Sequence, residues 1–408
     1  MERRTAGARL GERAAARRRK TARRVSMICG LGLAAVTSAV MYVALPASSA
    51  PSSDQTYLTI TLRQVRSFPV AGKTSSVQLS PDGKIVVGIT DHNRIYAFSV
   101  STRQQLITGV DDGIPPAARQ FDTPVFGPGG NTFAVLDSNI STFEGGGFDI
   151  WKSGVRRAPL LLLPHSGSNS GLWATPGPNK LVAYTYGGQP IGLADIKTGR
   201  SDGELLGGES TFRITSFGPE RQTAFSPNGK IIAASDGKGL MYLWNVASRR
   251  VIATLAAEKL FNDTANSNPI SSPDIDSIIF SLDSKAIACG SGSGIVRVWN
   301  VATRHNIVTF SVNGDDPFGA AARPVWTLIF SPDGKRLVAA DSAGVLGIWN
   351  VASGHKIATI TTPGGNFESV AFTKAGALLV ATENDSASAH KIEIWTSEKN
   401  LAAMLARS

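Results

Sequence analysis

The sequence predicts an all-β fold built from seven copies of one four-stranded unit, and three observations support this prediction. The 408 residues include 42 glycines and 21 prolines, which suits many short strands joined by turns better than long helices. A segment of roughly 50 residues recurs along the chain. Within each copy, apolar and polar residues alternate on both sides of a turn motif, as they do in half-buried strands.

Three copies align without gaps and define the repeat. They begin at Thr223, Ile278 and Leu328, and in each copy a tryptophan follows a lysine by 14 residues. Tryptophan occurs only seven times in the chain, so three tryptophans at one spacing indicate a true repeat. Four weaker copies complete the set. The turn positions that anchor the seven copies are Lys84, Asn131, Lys180, Lys230, Lys285, Lys335 and Ala377.

Each copy is predicted to form four strands, here called a to d. The sequence Ser-Pro-Asp-Gly, at 80–83 and 331–334, favours a type I turn between strands a and b. The apolar segment that ends in Trp-Asn is predicted to be strand c, and a further turn leads to strand d. A four-stranded sheet with two apolar faces cannot bury both alone, whereas sheets packed around an axis bury them. The sequence therefore predicts a closed, seven-bladed β-propeller.

The two ends of the repeat region predict how the ring closes. The seventh copy has no convincing fourth strand after Trp395, while a strand-like segment at 63–68 precedes the first copy. We expect residues 63–68 to complete the last blade, because this pairing removes two open strand edges. The propeller then spans 63–396, and residues 397–408 form a C-terminal tail.

The turn motif, the Trp-Asn pair and the following Val-Ala-Ser-Gly resemble the WD-repeat β-propeller family across roughly residues 63–396. The chain departs from the family pattern in three ways: no Gly-His precedes strand a, Asn replaces Asp after Trp, and the copies exceed roughly 40–45 residues. In the third copy, Ala194 stands at the tryptophan position. The repeats therefore resemble a degenerate bacterial version. The resemblance implies a monomeric, non-enzymatic scaffold for an unidentified protein partner.

The N-terminal region predicts a membrane anchor or an export signal. Residues 1–24 hold ten Arg or Lys and two Glu, and an uncharged apolar segment follows at 25–45. As a transmembrane or signal helix, these residues would span roughly 30 Å, the thickness of a hydrocarbon core. The preceding basic arm places the N-terminus in the cytoplasm, so a linker at 46–62 would lead to a propeller outside the membrane. The alternative is a signal cleaved after Ala50, which would leave a secreted propeller.

Composition excludes several other classes of protein. Outside the basic arm the chain is almost neutral, so it carries no overall electrostatic signature of nucleic-acid binding. Its two cysteines exclude a disulfide framework, and its five histidines show no metal-ligand spacing. We therefore predict no catalytic residue, no metal and no cofactor. Two alternatives remain open: an exported hydrolase-like enzyme with its site in the axial channel, and a structural envelope protein.

Candidate partner-binding residues lie where the d–a connections meet strand a. Long connections at 110–121, 256–274 and 311–323 are the kind of loop that carries binding residues on a rigid scaffold. The candidates are Asp122, Trp173, Arg221, Asp276, Phe318, Arg323 and Trp326. Trp326 is the first choice, because a strand-held aromatic loses little entropy on binding and buries a large area. The alternative is that Trp326 is a wedge between neighbouring blades.

Acidic residues also recur six positions after several turn anchors. They are Asp137, Asp236, Asp341 and Glu383. One interpretation is that these side chains accept backbone hydrogen bonds at the b–c turns. The other is a partial acidic ring that would suit a basic partner.

Overall fold

The part of the chain described by the computed structural model is built from strands. The described residues are 58–108, 123–137, 147–152, 155–156, 161–162, 173–178, 181–185, 191–195, 198, 200–207, 223–235, 239–256, 275–312, 323–341, 346–361, 367–386 and 389–397. Among them, no helix is long and apolar enough to cross a bilayer. The predicted basic arm at 1–24, the apolar segment at 25–45 and the tail from residue 398 lie outside the described residues.

The described strands form seven sheets, numbered here in chain order. Sheet 1 contains β3 (Thr74–Leu79), β4 (Ile85–Thr90), β5 (Ile95–Ser99) and β6 (Gln105–Thr108). Sheet 2 contains β7 (Val125–Phe126), β8 (Thr132–Asp137), β9 (Gly147–Lys152), β10 (Val155–Arg156) and β11 (Leu161–Leu162). Sheet 3 contains β12 (Trp173–Pro176), β13 (Leu181–Thr185), β14 (Gly192–Asp195) and β15 (Ser201–Glu204). Sheet 4 contains β16 (Thr223–Phe225), β17 (Ile231–Ser235), β18 (Leu240–Asn245) and β19 (Val251–Ala256). Sheet 5 contains β20 (Ile275–Phe280), β21 (Ala286–Ser291), β22 (Ile295–Asn300) and β23 (Asn306–Ser311). Sheet 6 contains β24 (Val325–Phe330), β25 (Arg336–Asp341), β26 (Leu346–Asn350), β27 (Lys356–Thr361) and, from the N-terminal side of the repeats, β1 (Leu58–Thr61). Sheet 7 contains β28 (Ser369–Phe372), β29 (Leu378–Ser386), β30 (Ala389–Thr396) and β2 (Arg63–Val70).

The sheets are arranged around a common axis. Contacts join the inner strands of successive sheets: β7 with β12, β12 with β16, β16 with β20, β20 with β24, β24 with β28, and β28 with β3. Sheets 1 and 2 meet through side chains, because Val87 and Ile89 share a buried cluster with Phe133 and Trp151. The predicted all-β propeller is therefore confirmed.

The aromatic residue of strand c packs against the preceding sheet, which explains why it recurs. Trp349 stacks on Phe310 of sheet 5 with ring centroids 5.0 Å apart. Phe98 of sheet 1 stacks on Phe68 of sheet 7 in the same way, at 4.7 Å. Trp244 is fully buried, and its indole N–H donates to the Gly207 carbonyl at 3.2 Å. Because one aromatic side chain buries a large apolar area, its placement closes these three boundaries between sheets.

The asparagine that follows the tryptophan closes the c–d turn. The Oδ1 atom of Asn300 accepts hydrogen bonds from the backbone N–H groups of Ala302 and Thr303, at 3.0 and 2.9 Å. In sheet 6, Asn350 makes the equivalent bond to Ala352 at 2.9 Å. An amide oxygen can accept these bonds as a carboxylate would, so the departure from the usual aspartate leaves the turn intact.

The N-terminal strands join two different sheets. β2 pairs antiparallel with β30, from Arg63 opposite Thr396 to Val70 opposite His390, and is the fourth strand of sheet 7. β1 pairs in parallel with β27 and adds a fifth strand to sheet 6. Residues 58–61 were expected in the linker at 46–62, and this boundary is corrected. The buried side chain of Ile60, only 4% exposed, anchors β1 to the core.

Candidate functional site: the axial cavity

A cavity of about 490 Å³ lies between the inner strands. It is lined by residues of sheets 1, 2, 4, 5, 6 and 7 and has more apolar than polar surface. Its polar lining includes Gln78, Ser277, Thr327, Glu368 and Ser369. This volume lies within the range of ordinary ligand pockets, and a few polar groups among apolar walls are typical of such sites.

β-Bulges shape one mouth of the cavity. The register between β24 and β25 shifts between Val325 and Thr327, so Trp326 has no opposite residue in the ladder. The register between β20 and β21 shifts at the same place, which leaves Asp276 in the equivalent position of sheet 5. A bulge turns a side chain away from the regular alternation of a strand. Two predicted site residues therefore occupy one structural position in neighbouring sheets.

Trp326 lines the cavity and differs in exposure from the tryptophans of strand c. It is 43% exposed, whereas Trp349 is 4% exposed. Asp276, by contrast, is 8% exposed and lies within the packed end of its strand. At this mouth the protein therefore presents a large aromatic surface to solvent.

Arg323 lies just before the same strand. Its guanidinium is 3.2 Å from the carboxylate of Asp341, whose side chain is only 7% exposed. The recurring acidic position after the turn anchor is thus paired, in sheet 6, with a predicted partner-binding residue. Burial lowers the pKa of Lys356 below its ordinary value, although the negative charge of Asp341 opposes this shift.

The remaining predicted residues are placed less fully. Trp173 begins β12, where its backbone pairs with Thr185. Asp122, Arg221 and Phe318 lie outside the described residues. Sequence reasoning missed Glu368, which lines the cavity. It stands nine residues before its turn anchor, as Trp326 does, and this shared offset could have identified it.

The other mouth of the cavity has a rigid apolar rim. The second residue of the a–b turns lines the cavity there, and these residues are Pro81, Pro128, Pro227, Leu282 and Pro332. Proline fixes its own backbone and has no N–H to donate, so this turn position offers shape and apolar surface. Charged side chains of the same turns, Asp82, Lys84 and Lys374, also line the cavity. Leu282 is 48% exposed and extends this rim.

Within the described ranges, no group of three or more His, Cys, Asp or Glu side chains is placed to hold a metal ion. His305 and His355 are exposed in the c–d turns of successive sheets. Cys289 is buried in β21 at 1% exposure.

Comparison with known families supports the repeat architecture. Residues 266–300 and 318–350 match the family model of the WD domain, G-beta repeat. These two segments contain the turn anchors Lys285 and Lys335 and the tryptophans of sheets 5 and 6. No curated protein matches the chain. The arrangement of sheets and the two family matches together support a WD-repeat β-propeller.

Proposed function

We propose that the chain is a non-enzymatic protein-interaction scaffold whose partner binds at the mouth of the axial cavity that contains Trp326. One observation carries this proposal: Trp326 sits on a bulge of an inner strand, lines the cavity and is 43% exposed. Tryptophan is enriched among residues that dominate binding energy, especially near a pocket at the centre of an interface. The exposure favours a contact residue over a wedge between blades.

Two finer features belong to the same proposal. The scaffold is a monomeric, seven-bladed ring of bacterial type, and the seven sheets of the described strands support the number of blades. It is held outside the cell membrane by residues 25–45, which is supported by the apolar length of that segment and the basic arm before it. A carbonate wash of the membrane fraction tests this proposed anchoring. Full-length protein should remain with the membranes, whereas a soluble form beginning near Ala50 would establish cleavage instead.

The binding site can be tested by placing a photo-crosslinking amino acid at position 326. The matched control carries the same group at Ile307, which is 40% exposed on β23, away from the cavity lining. We expect one protein to crosslink at position 326 and not at position 307. Equal crosslinking at both positions would indicate nonspecific contact and would contradict the assignment.

The captured partner then allows a quantitative test. We expect Trp326→Ala to weaken its affinity about 30-fold or more, because truncating such an anchor typically costs at least about 2 kcal/mol. The melting temperature should stay close to that of the wild type, since the side chain lies outside the core. A lower melting temperature with unchanged affinity would show that Trp326 is a packing residue.

A further inference from the structure

One end of the propeller carries a concentrated positive charge. Because strands a to d follow one another antiparallel in each sheet, the a–b and c–d turns lie at the same end, here called the turn face. The described a–b and c–d turns contain ten cationic and three anionic side chains: Lys84, Arg103, Arg200, Lys230, Arg249, Arg250, Lys285, Arg304, Lys335 and Lys374, with Asp82, Asp283 and Asp333. Nine of the ten cations are exposed.

The three aspartates are engaged within their own turns. In sheet 6, Asp333 accepts hydrogen bonds from the Ser331 hydroxyl and from the backbone N–H of Lys335. Partial burial opposes ionisation, but these hydrogen bonds outweigh it and hold the pKa of Asp333 below its ordinary value. The same pattern holds for Asp82 and Asp283. Their carboxylates are therefore held within the turns, where Asp82 and Asp283 also pair with the exposed ammonium groups of Lys84 and Lys285 at 2.8 and 3.9 Å. The cations outnumber these three carboxylates, so the described turns keep an excess of positive charge for an external partner.

At the opposite end of the sheets, the charges of the described residues are nearly balanced. In the described part of the b–c and d–a connections, the charged residues are Lys73, Asp91, Arg94, Arg323 and Glu368. Among the described residues, the excess of positive charge therefore lies at the turn face. This asymmetry is invisible in the composition, which is nearly neutral after the basic arm.

The first described strand begins at the same end. β1 runs parallel to β27, with Leu58 opposite Ala358. β27 begins directly after the c–d turn of sheet 6, so the start of β1 lies at the turn-face end of that sheet. Residues 46–57 separate Leu58 from the apolar segment at 25–45, and even fully extended they reach only about 40 Å.

We propose that the turn face docks onto an anionic phospholipid surface. The inference rests on the membrane anchor proposed above, and it adds a second contact that orients the propeller on the bilayer. Lysine and arginine near an anionic membrane each strengthen binding about fivefold, and the attraction acts only within a Debye length of about 10 Å. A short tether keeps the basic face at high local concentration near the lipid, so individually weak contacts suffice.

Lysine labelling of the full chain in nanodiscs tests the proposal. The protein is reconstituted in neutral phosphatidylcholine and in phosphatidylcholine with about one-third phosphatidylglycerol, and amine acetylation is read by mass spectrometry. We expect Lys230, Lys285 and Lys335 to be labelled several-fold more slowly in the anionic discs than in the neutral ones. Lys73 and Lys391, exposed at the opposite end of their sheets, serve as internal controls and should not change.

A charge-reversed variant provides the matched comparison. Lys230→Glu/Lys285→Glu/Lys335→Glu should abolish the protection, which is read in this variant at Lys84 and Lys374, the remaining exposed lysines of the described turn face. Lys73→Glu/Arg94→Glu/Lys391→Glu should leave the protection of the turn-face lysines unchanged. Protein that stays in the discs but shows equal labelling in both lipids would overturn the docking proposal and leave the anchor intact. Protection at the turn face by duplex DNA but not by anionic lipid would overturn it in favour of a nucleic-acid partner.

Failure of the anchor gives a separate outcome. If the protein is not retained in discs, the anchor proposal fails, and co-sedimentation of the released form with the same lipids as vesicles tests the face directly. Binding to the anionic vesicles, weakened at least about tenfold by the turn-face triple variant, would support the docking surface. No binding, or equal binding to neutral vesicles, would contradict it.

Discussion

The guanidinium of Arg323 lies 3.2 Å from the carboxylate of Asp341, across the first hairpin of sheet 6. The arginine side chain is 45% exposed and the aspartate side chain 7% exposed, so a surface cation neutralises a buried anion beside the cavity mouth. Arg323 is also one of the residues predicted from sequence to contact a partner. Its role in stability must therefore be separated from any role in binding.

Replacing Arg323 with glutamine should lower the free energy of unfolding by roughly 1–2 kcal/mol, because the buried carboxylate loses the cation that lies 3.2 Å away. Combining Arg323→Gln with Asp341→Asn in a double-mutant cycle should give a coupling energy above about 0.5 kcal/mol. Urea denaturation measures all four proteins. Additive single effects would show that the ion pair contributes nothing to stability.

Replacing Gly290 with alanine should destabilise the boundary between sheets 5 and 6. A Cβ atom at Gly290 would lie 2.5 Å from the Val325 Cβ and 2.8 Å from the Ser277 hydroxyl. Overpacking of this kind typically costs roughly 1–3 kcal/mol, which urea denaturation would detect. Gly129→Ala is the matched control, because its Cβ would meet only the Asn131 side chain, at 3.5 Å. Equal stability of the two variants would contradict the close packing.

Replacing Arg304 with glycine should stabilise the protein by up to about 1 kcal/mol. Arg304 adopts φ 64 in the c–d turn of sheet 5, a conformation that side-chain-bearing residues disfavour. Glycine already occupies this turn position in sheet 6, where Gly354 has φ 72. The reciprocal change, Gly354→Arg, should lower the melting temperature, and its Cβ would also crowd Val308. A lower melting temperature for Arg304→Gly would be the opposite of what the backbone predicts.

Asp333→Asn should weaken the dependence of stability on acid pH. Because the folded-state pKa of Asp333 is lowered, its contribution is fully present above the ordinary aspartate pKa and is lost as pH falls through the lowered value. Asparagine fits such a turn, since Asn228 accepts the equivalent bonds in sheet 4. Unfolding measured from about pH 6 to pH 2 should show a shallower decline for the variant. Identical curves would mean that this carboxylate is not linked to folding.

Ile60→Ala should cost about 2–4 kcal/mol if β1 is an integral strand, because the side chain is 4% exposed within the core. Ile307→Ala provides the comparison, since that residue is 40% exposed on the outer strand of sheet 5. Its effect on urea denaturation should stay below about 1 kcal/mol. If both variants were equally stable, residues 58–61 would be no more than linker.

The features that could be predicted from sequence are those encoded within a few neighbouring residues. The a–b turn is one: in sheet 6 the N–H of Gly334 donates to the Ser331 carbonyl at 2.9 Å, as the Ser-Pro-Asp-Gly motif predicts. The position of Trp349 is another, because one buried aromatic in each copy makes a period visible. The all-β propeller follows from these local signals, since each sheet has two apolar faces to cover.

Local sequence is enough to specify the repeat, its turns and the aromatic of strand c, because local hydrogen bonds and alternating polarity define them. The tertiary structure was needed to place β1, since Leu58 pairs with Ala358, 300 positions away, and four residues carry too little pattern to reveal that pairing. It also decided that Trp326 stands out at a bulge and that Arg323 meets Asp341. The basic turn face likewise emerges only when seven sheets bring separate turns to one end. Such features depend on contacts between distant segments, so no single segment of the sequence is enough to predict them.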